Sequence, residues 1–339
     1  MTTHRERLQA CIAGERPDRL PVALWRHYPV DDQSPEALAR AHIWFQRTFD
    51  FDLVKVTPAS SFCLKDWGVD DVWEGDSEGT RRYVRYIIND PADWEALPVL
   101  DPLKGHLGAQ LDCLRAIRAE LGPDTPILQT VFSPLSQARH LAPDGLLLVH
   151  LRRFPEAVLR GLDVIARTTR RFVEAAAETG IDGIFYAVQQ AQANVLSPEE
   201  FDRFARGTDL SVLEAAQTLW CNMLHIHGEH IYFDRVVDYP VQIVNWHDRE
   251  TAPTLAEARG RDSFQNAGAS VLCGGLGRST LTYGTPGDVS AQAAEAVQQT
   301  EGRGLILSTG CVVPVIAPYG NIMAARDASV LAHGPRQAA

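Results

Sequence analysis

The stretch GIFYAVQQAQANVLSPEEFDRFARGTDLSVLEAAQTLWCNMLHIH, residues 183–227, holds one structural unit and the start of the next. It opens on a short β-branched and aromatic run, 183–188, and closes on another, 223–227. Between them Ser197-Pro198-Glu199-Glu200 is a helix-start signal, with serine as N-cap and proline at the first helical position. The residues that follow predict a helix reaching about Trp220. Strand, helix and strand in succession form the repeating unit of a parallel sheet.

The same alternation continues in both directions. Eight strand-like runs fall at 21–25, 53–57, 126–132, 183–188, 223–227, 241–246, 270–273 and 304–309. Most are continuously apolar, as expected when both faces of a sheet are covered. Ser34-Pro35-Glu36 opens a helix towards Phe49, and Thr285-Pro286-Gly287-Asp288 leads into another ending near Thr300. Residues 155–180 read as a long helix closed by Gly180. The pattern predicts an α/β protein of one domain, a (β/α)8 TIM barrel over residues 1–332, with 333–339 as a flexible tail. A doubly wound open sheet is the competing architecture. No G-x-G-x-x-G follows the first run and no P-loop motif occurs, so no nucleotide cofactor is expected. Two excursions interrupt the rhythm. RRYVRYII (81–88) is expected in a β-hairpin after the second strand, and 134–151 in short helices over the barrel mouth after the third.

A net charge of -11 argues against nucleic acid or an anionic membrane as partner, since both reward clustered Lys and Arg. No apolar run approaches the ~20 residues needed to span a bilayer. The opening MTTHRERLQA has no apolar signal region, and the six cysteines show no paired spacing. A cytoplasmic enzyme with reduced thiols is expected.

In such barrels the reactive groups sit on loops at the C-terminal ends of the strands. Five of the eleven histidines fall there: His27, His225, His227, His230 and His247. His225 and His227 are two apart on one strand, so both imidazoles can address one point above the barrel. Cys311, after the last run, stands across the mouth from them. A thiolate and two imidazoles suit Zn²⁺, with a fourth position for water or substrate. The competing reading makes them two hydrogen-bonded core histidines and a small apolar cysteine. Arg26 offers a permanent cation to a carboxylate or phosphate, or pairs with Asp31 or Asp66. Asp66 suits a general acid or base, and equally a turn or cap carboxylate. His247 is a second catalytic candidate. His27, Gln190 and Trp246 join Arg26 as expected substrate contacts, although Trp246 suits the core as well.

Those residues carry a family resemblance. Pro21-Val22-Ala23-Leu24-Trp25-Arg26-His27 resembles the first-strand segment of uroporphyrinogen decarboxylases, whose arginine at the Arg26 position binds substrate carboxylates. LILSTGCVVPVIAPYGNIMAA (305–325) is similar to the last barrel unit of the same superfamily. In particular it resembles the zinc-dependent methyltransferases that act on corrinoid proteins or coenzyme M. The likeness runs from Arg5 to about Ala328 and implies the (β/α)8 fold independently. That branch binds zinc through H-x-C and a later T-G-C cysteine. The matching positions are His225, His227 and Cys311, with histidine where the family has its middle cysteine. The resemblance implies zinc holding a thiol as thiolate for attack on a methyl donor, a small-molecule substrate, a separate corrinoid protein and a homodimer. No D-x-H-x-x-G cobalamin motif is present. The alternative is a metal-free carboxy-lyase using Arg26 and Asp66. Against it, the decarboxylase motif R-Q-A-G-R is broken in Arg26-His27-Tyr28-Pro29, and Cys311 stands where that family carries histidine.

Overall fold

The computed structural model describes residues 2–331, and among them nine strands follow one another. They are β1 (Val54–Val56), β2 (Asp70–Val72), β3 (Arg82–Arg85), β4 (Ile127–Phe132), β5 (Gly183–Val188), β6 (Met223–Ile226), β7 (Ile243–Trp246), β8 (Val271–Leu276) and β9 (Leu305–Thr309). Seven form one parallel sheet in the order β1-β4-β5-β6-β7-β8-β9. Helices connect and cover them, in a TIM-barrel-like α/β fold. The expected tail at 333–339 lies outside the described residues. No helix among the described residues is long and apolar enough to cross a membrane.

The first expected run, 21–25, is not a regular strand. Pro21 has no N–H to offer a ladder, and the Val22 N–H donates to the Asp52 carboxylate at 2.8 Å instead. The segment still touches both edges of the sheet. Leu307 N–H donates to the Pro21 carbonyl at 2.8 Å, and Asp52 N–H donates to the Val22 carbonyl at 2.8 Å. Asp52 is fully buried, and Arg7 and Arg19 reach its carboxylate at 2.7 and 2.6 Å.

Side chains alternate across each strand. Val56, Tyr186, Leu224 and Trp246 pack outward in the main core. Leu53, Leu128, Met223, Ile243, Val271 and Ile306 fill the inner core, inside the curl of the sheet. That parity decides which residues can line a site at the mouth.

Helix starts follow their caps. Ser34 accepts the Ala37 N–H at 3.3 Å to begin the helix Pro35–Phe49. Ser197 and Glu200 form a reciprocal cap before Pro198–Phe201, which continues through a π turn into Gly207–Glu214. That helix stops short of Trp220, where the Asn222 amide takes up the carbonyls of Ala216 and Leu219. Strands β2 and β3 pair antiparallel, with an irregularity at Asp70/Asp71. Beyond Arg85 the expected 81–88 strand ends, because Ile87 and Ile88 N–H both turn to the Leu141 carbonyl at 3.0 Å. Leu141 closes the helix Pro134–Leu141, which follows β4 and precedes Leu146–Arg153.

Candidate metal centre

Strands β6 and β7 pair so that His225 stands directly beside Asn245, both on the inward face. Two residues on, His227 and His247 leave the ends of the same two strands. Cys311 arrives from β9 through Thr309-Gly310-Cys311. A Cβ on Gly310 would lie 2.5 Å from the His247 Cα and 2.6 Å from the Trp246 carbonyl oxygen, so only glycine lets the two turns come this close. The outcome is one cluster, His225, His227, His247 and Cys311, whose ligand atoms all lie within 4.8 Å of one another.

The spacing suits a tetrahedral cation. His227 Nδ1 is 3.4 Å from His225 Nε2, 3.3 Å from His247 Nε2 and 3.8 Å from Cys311 Sγ. Donors bound to Zn²⁺ at its usual bond lengths stand about 3.3–3.6 Å apart. Two imidazoles are also held in the required tautomer. Asn245 Nδ2 donates to the carbonyls of Cys273 and Thr309 at 2.8 and 3.0 Å, which leaves its oxygen to accept from His225 Nδ1 at 2.6 Å. His247 Nδ1 meets Glu250 Oε2 at 3.0 Å. With both Nδ1 atoms protonated, both Nε2 lone pairs face the cluster. Arg278 grips Glu250 with two donors at 3.0 and 2.9 Å and reaches Glu78 at 2.5 Å.

Burial opposes charge on the Cys311 thiol, but its contacts with the three imidazoles outweigh it and hold the thiol well below its ordinary range. Burial pushes His225 down to about 4, against the pull of Cys311. For His247 burial also acts downward, yet Cys311 and Glu250 together raise it to about 9. The hydrogen bond from His247, aided by Arg278, lowers Glu250 to about 2 against its partial burial. A thiolate ringed by imidazoles, three nitrogens and one sulfur in all, is a borderline-soft donor set of the kind zinc prefers.

The cluster opens into a cavity of about 230 Å³, walled by Trp25, Phe132 and Phe185 and covered by Thr80 and Tyr83 of the hairpin region. The structure distributes the expected site residues unevenly. His225, His227 and Cys311 come together, and His247, expected in catalysis, joins them as a fourth donor. His27 lines the cavity, where burial lowers it to about 4. Three expected substrate contacts lie outside the cavity lining because they have the wrong parity. Arg26 stacks over Tyr28 at 5.7 Å while its neighbours Trp25 and His27 face in. Gln190 is buried outside the lining, and Gln189 faces in. Trp246 is fully buried among core residues, its indole N–H donating to the Pro253 carbonyl at 2.7 Å. Asp66 lies outside the cavity lining. Its carboxylate accepts the N–H groups of His106 and Leu107 at 2.9 and 3.1 Å, at the start of the helix Gly105–Leu121. His230 also stays out of the cluster.

Sequence reasoning missed Lys55, Asn245 and Glu250. Lys55 was visible in principle, as a cation inside an apolar strand at the same parity as Leu53 and Thr57. It is buried and lines the cavity, and burial pushes it down to about 7 against the pull of Cys311.

Fold and site together define a barrel-type α/β protein with a histidine–cysteine cluster at the mouth. The chain belongs to the uroporphyrinogen decarboxylase (URO-D) family, whose pattern it matches over residues 3–329. It is 23% identical to methylcobamide:CoM methyltransferase MtbA of Methanosarcina acetivorans, over 94% of this chain and 95% of that one. It is 22% identical to methylcobamide:CoM methyltransferase MtaA of Methanosarcina barkeri, over 96% and 98%. Among solved structures, a methyltransferase from Methanosarcina mazei superposes with a TM-score of 0.82 at 21% identity, covering 96% of this chain and 99% of that one.

Proposed function

We propose that this chain is a methyltransferase of small molecules in which His225, His227, His247 and Cys311 hold a zinc ion. The observation that carries the reading is the convergence of those four donors on one point of the cavity. The methyltransferases it resembles along almost their whole length supply the reaction class. A bound zinc ion supplies Lewis acidity to the substrate heteroatom that gives or takes the methyl group.

The chain's own residues supply the rest. Asn245 and Glu250 keep protons on the outer nitrogens of His225 and His247. The imidazole neighbours of Cys311 favour its thiolate. Trp25, Phe132 and Phe185 give the cavity an apolar wall beside the cluster. A corrinoid carried by a separate protein is the proposed methyl partner, since the relatives' names specify a methylcobamide. The reaction is assigned to a single domain, residues 1–332, working in the cytoplasm.

The carboxy-lyase alternative is not favoured. Its two residues, Arg26 and Asp66, face away from the cavity. A space of about 230 Å³ is also small for a four-carboxylate macrocycle. Protein purified without a histidine tag should move a methyl group between methylcobalamin and coenzyme M, and His227→Ala should lose both zinc and transfer. Chelated, metal-free protein that keeps full transfer would contradict the reading.

A further inference from the structure

The cavity carries one charge that neither the fold nor the cation site explains. Lys55 projects inward from the middle of β1 and is 5% exposed. Taking an ammonium out of water costs several kcal/mol unless an anion or acceptor offsets it. Among the described residues none does so by contact. The neighbour its Nζ meets is the Phe185 ring, 4.5 Å from the centroid. A desolvated cation over an aromatic face recovers only part of that cost. The Cys311 charge acts on Lys55 without a hydrogen bond between them and is already engaged by three imidazoles.

Other charges at the cavity are committed to one another. Arg81 pairs with Asp32 at 2.8 Å and Asp71 at 3.3 Å, and Glu78 pairs with Arg278 at 2.5 Å. Lys55 is thus the cation left for a ligand among the described residues lining the cavity. Beside it the walls are flat and apolar. Trp25 and Phe185 meet edge to face with centroids 5.3 Å apart, and Phe132 joins them. A space of about 230 Å³ is below the range of drug-sized ligand pockets and suits a single ring with an acid group.

We propose that Lys55 receives the oxyanion, carboxylate or sulfonate, of a small substrate whose flat apolar body lies against Trp25, Phe132 and Phe185. The proposal rests on the methyl-transfer reading only in taking this cavity as the substrate site. A small aromatic acid then occupies this cavity more tightly than the aliphatic sulfonate coenzyme M, as the molecule that gives or accepts the methyl group.

Calorimetric titration of the zinc-loaded full chain with three probes tests it. Benzoate has ring and charge, benzamide has the ring alone, and ethanesulfonate has the charge alone. Benzoate should bind at least ~10-fold more tightly than either of the others, as expected for one charge-assisted hydrogen bond in a dry site. In Lys55→Met the benzoate-to-benzamide ratio should fall to about one while zinc content is unchanged. Ligand-free Lys55→Met should melt at or above the wild-type temperature, because it removes an unpaired buried charge. No preference for benzoate over benzamide in the wild type, or a preference that survives in Lys55→Met, overturns the proposal. A lower melting temperature for the variant overturns it too, by assigning Lys55 a structural partner. Ethanesulfonate binding as tightly as benzoate overturns the aromatic part. Protein that binds no zinc yet prefers benzoate sinks the methyl-transfer reading and leaves this one standing.

Discussion

The tautomers of two imidazoles decide what the donor cluster can bind. Asn245 has both amide hydrogens engaged by carbonyls, so its oxygen can only accept, and His225 must present Nε2. Removing that constraint in Asn245→Ala should weaken zinc binding by ~10–100-fold in competition with a chromophoric chelator, while far-UV dichroism stays unchanged. Unaltered affinity would show that the cluster does not depend on this orientation. At this scale the i, i+2 spacing of His225 and His227 was legible, because alternation on a strand is a local property. Arg26, Gln190 and Trp246 were misplaced because their runs are apolar on both faces, so the sequence carries no mark of which face is inward. His247 was expected in catalysis and not among the metal donors, since its place in the cluster depends on how β6 and β7 register.

Elements with local signals were read well. Ser34, Ser197 and Thr285 each cap the helix their sequences announce. Asp66 shows the opposite case, where a carboxylate in a loop serves a helix some forty residues away. Asp66→Ala should therefore lower unfolding stability by about 1 kcal/mol through loss of the cap, and leave zinc content and methyl transfer intact. Lost transfer at unchanged stability would return Asp66 to a catalytic role. The segment 21–25 could not be resolved from composition. Its pairing is set by Asp52, whose carboxylate takes the Val22 N–H that a ladder would need. That carboxylate is itself held by Arg7 and Arg19, contacts made from elsewhere in the chain.

The molecule as a whole separates stability from chemistry. Asp52 with its arginines ties the sheet edges together, while the histidine–cysteine cluster and Lys55 belong to the mouth cavity. The alternation of runs made the barrel legible, but the contents of its mouth depended on strand parity and on turns meeting across the barrel. Acid should weaken the whole. His42 accepts the Thr57 N–H through Nε2 at 3.0 Å, and burial, with Lys55 nearby, lowers it to about 3. Its ordinary value is about 6.5, so its contribution is complete above that pH and is lost as pH falls towards 3. The loss is up to about 1.4 kcal/mol per pH unit. Denaturant midpoints should drop between about pH 7 and about pH 5, with a shallower drop in His42→Gln; a flat profile would contradict the buried neutral imidazole. The proposed centre is one cation held by three imidazoles and a thiolate. X-ray absorption at the zinc edge of tag-free protein tests that directly. One zinc per chain with three nitrogen neighbours and one sulfur is the predicted result. Zinc bound by other ligands, or protein that takes up none, would contradict it.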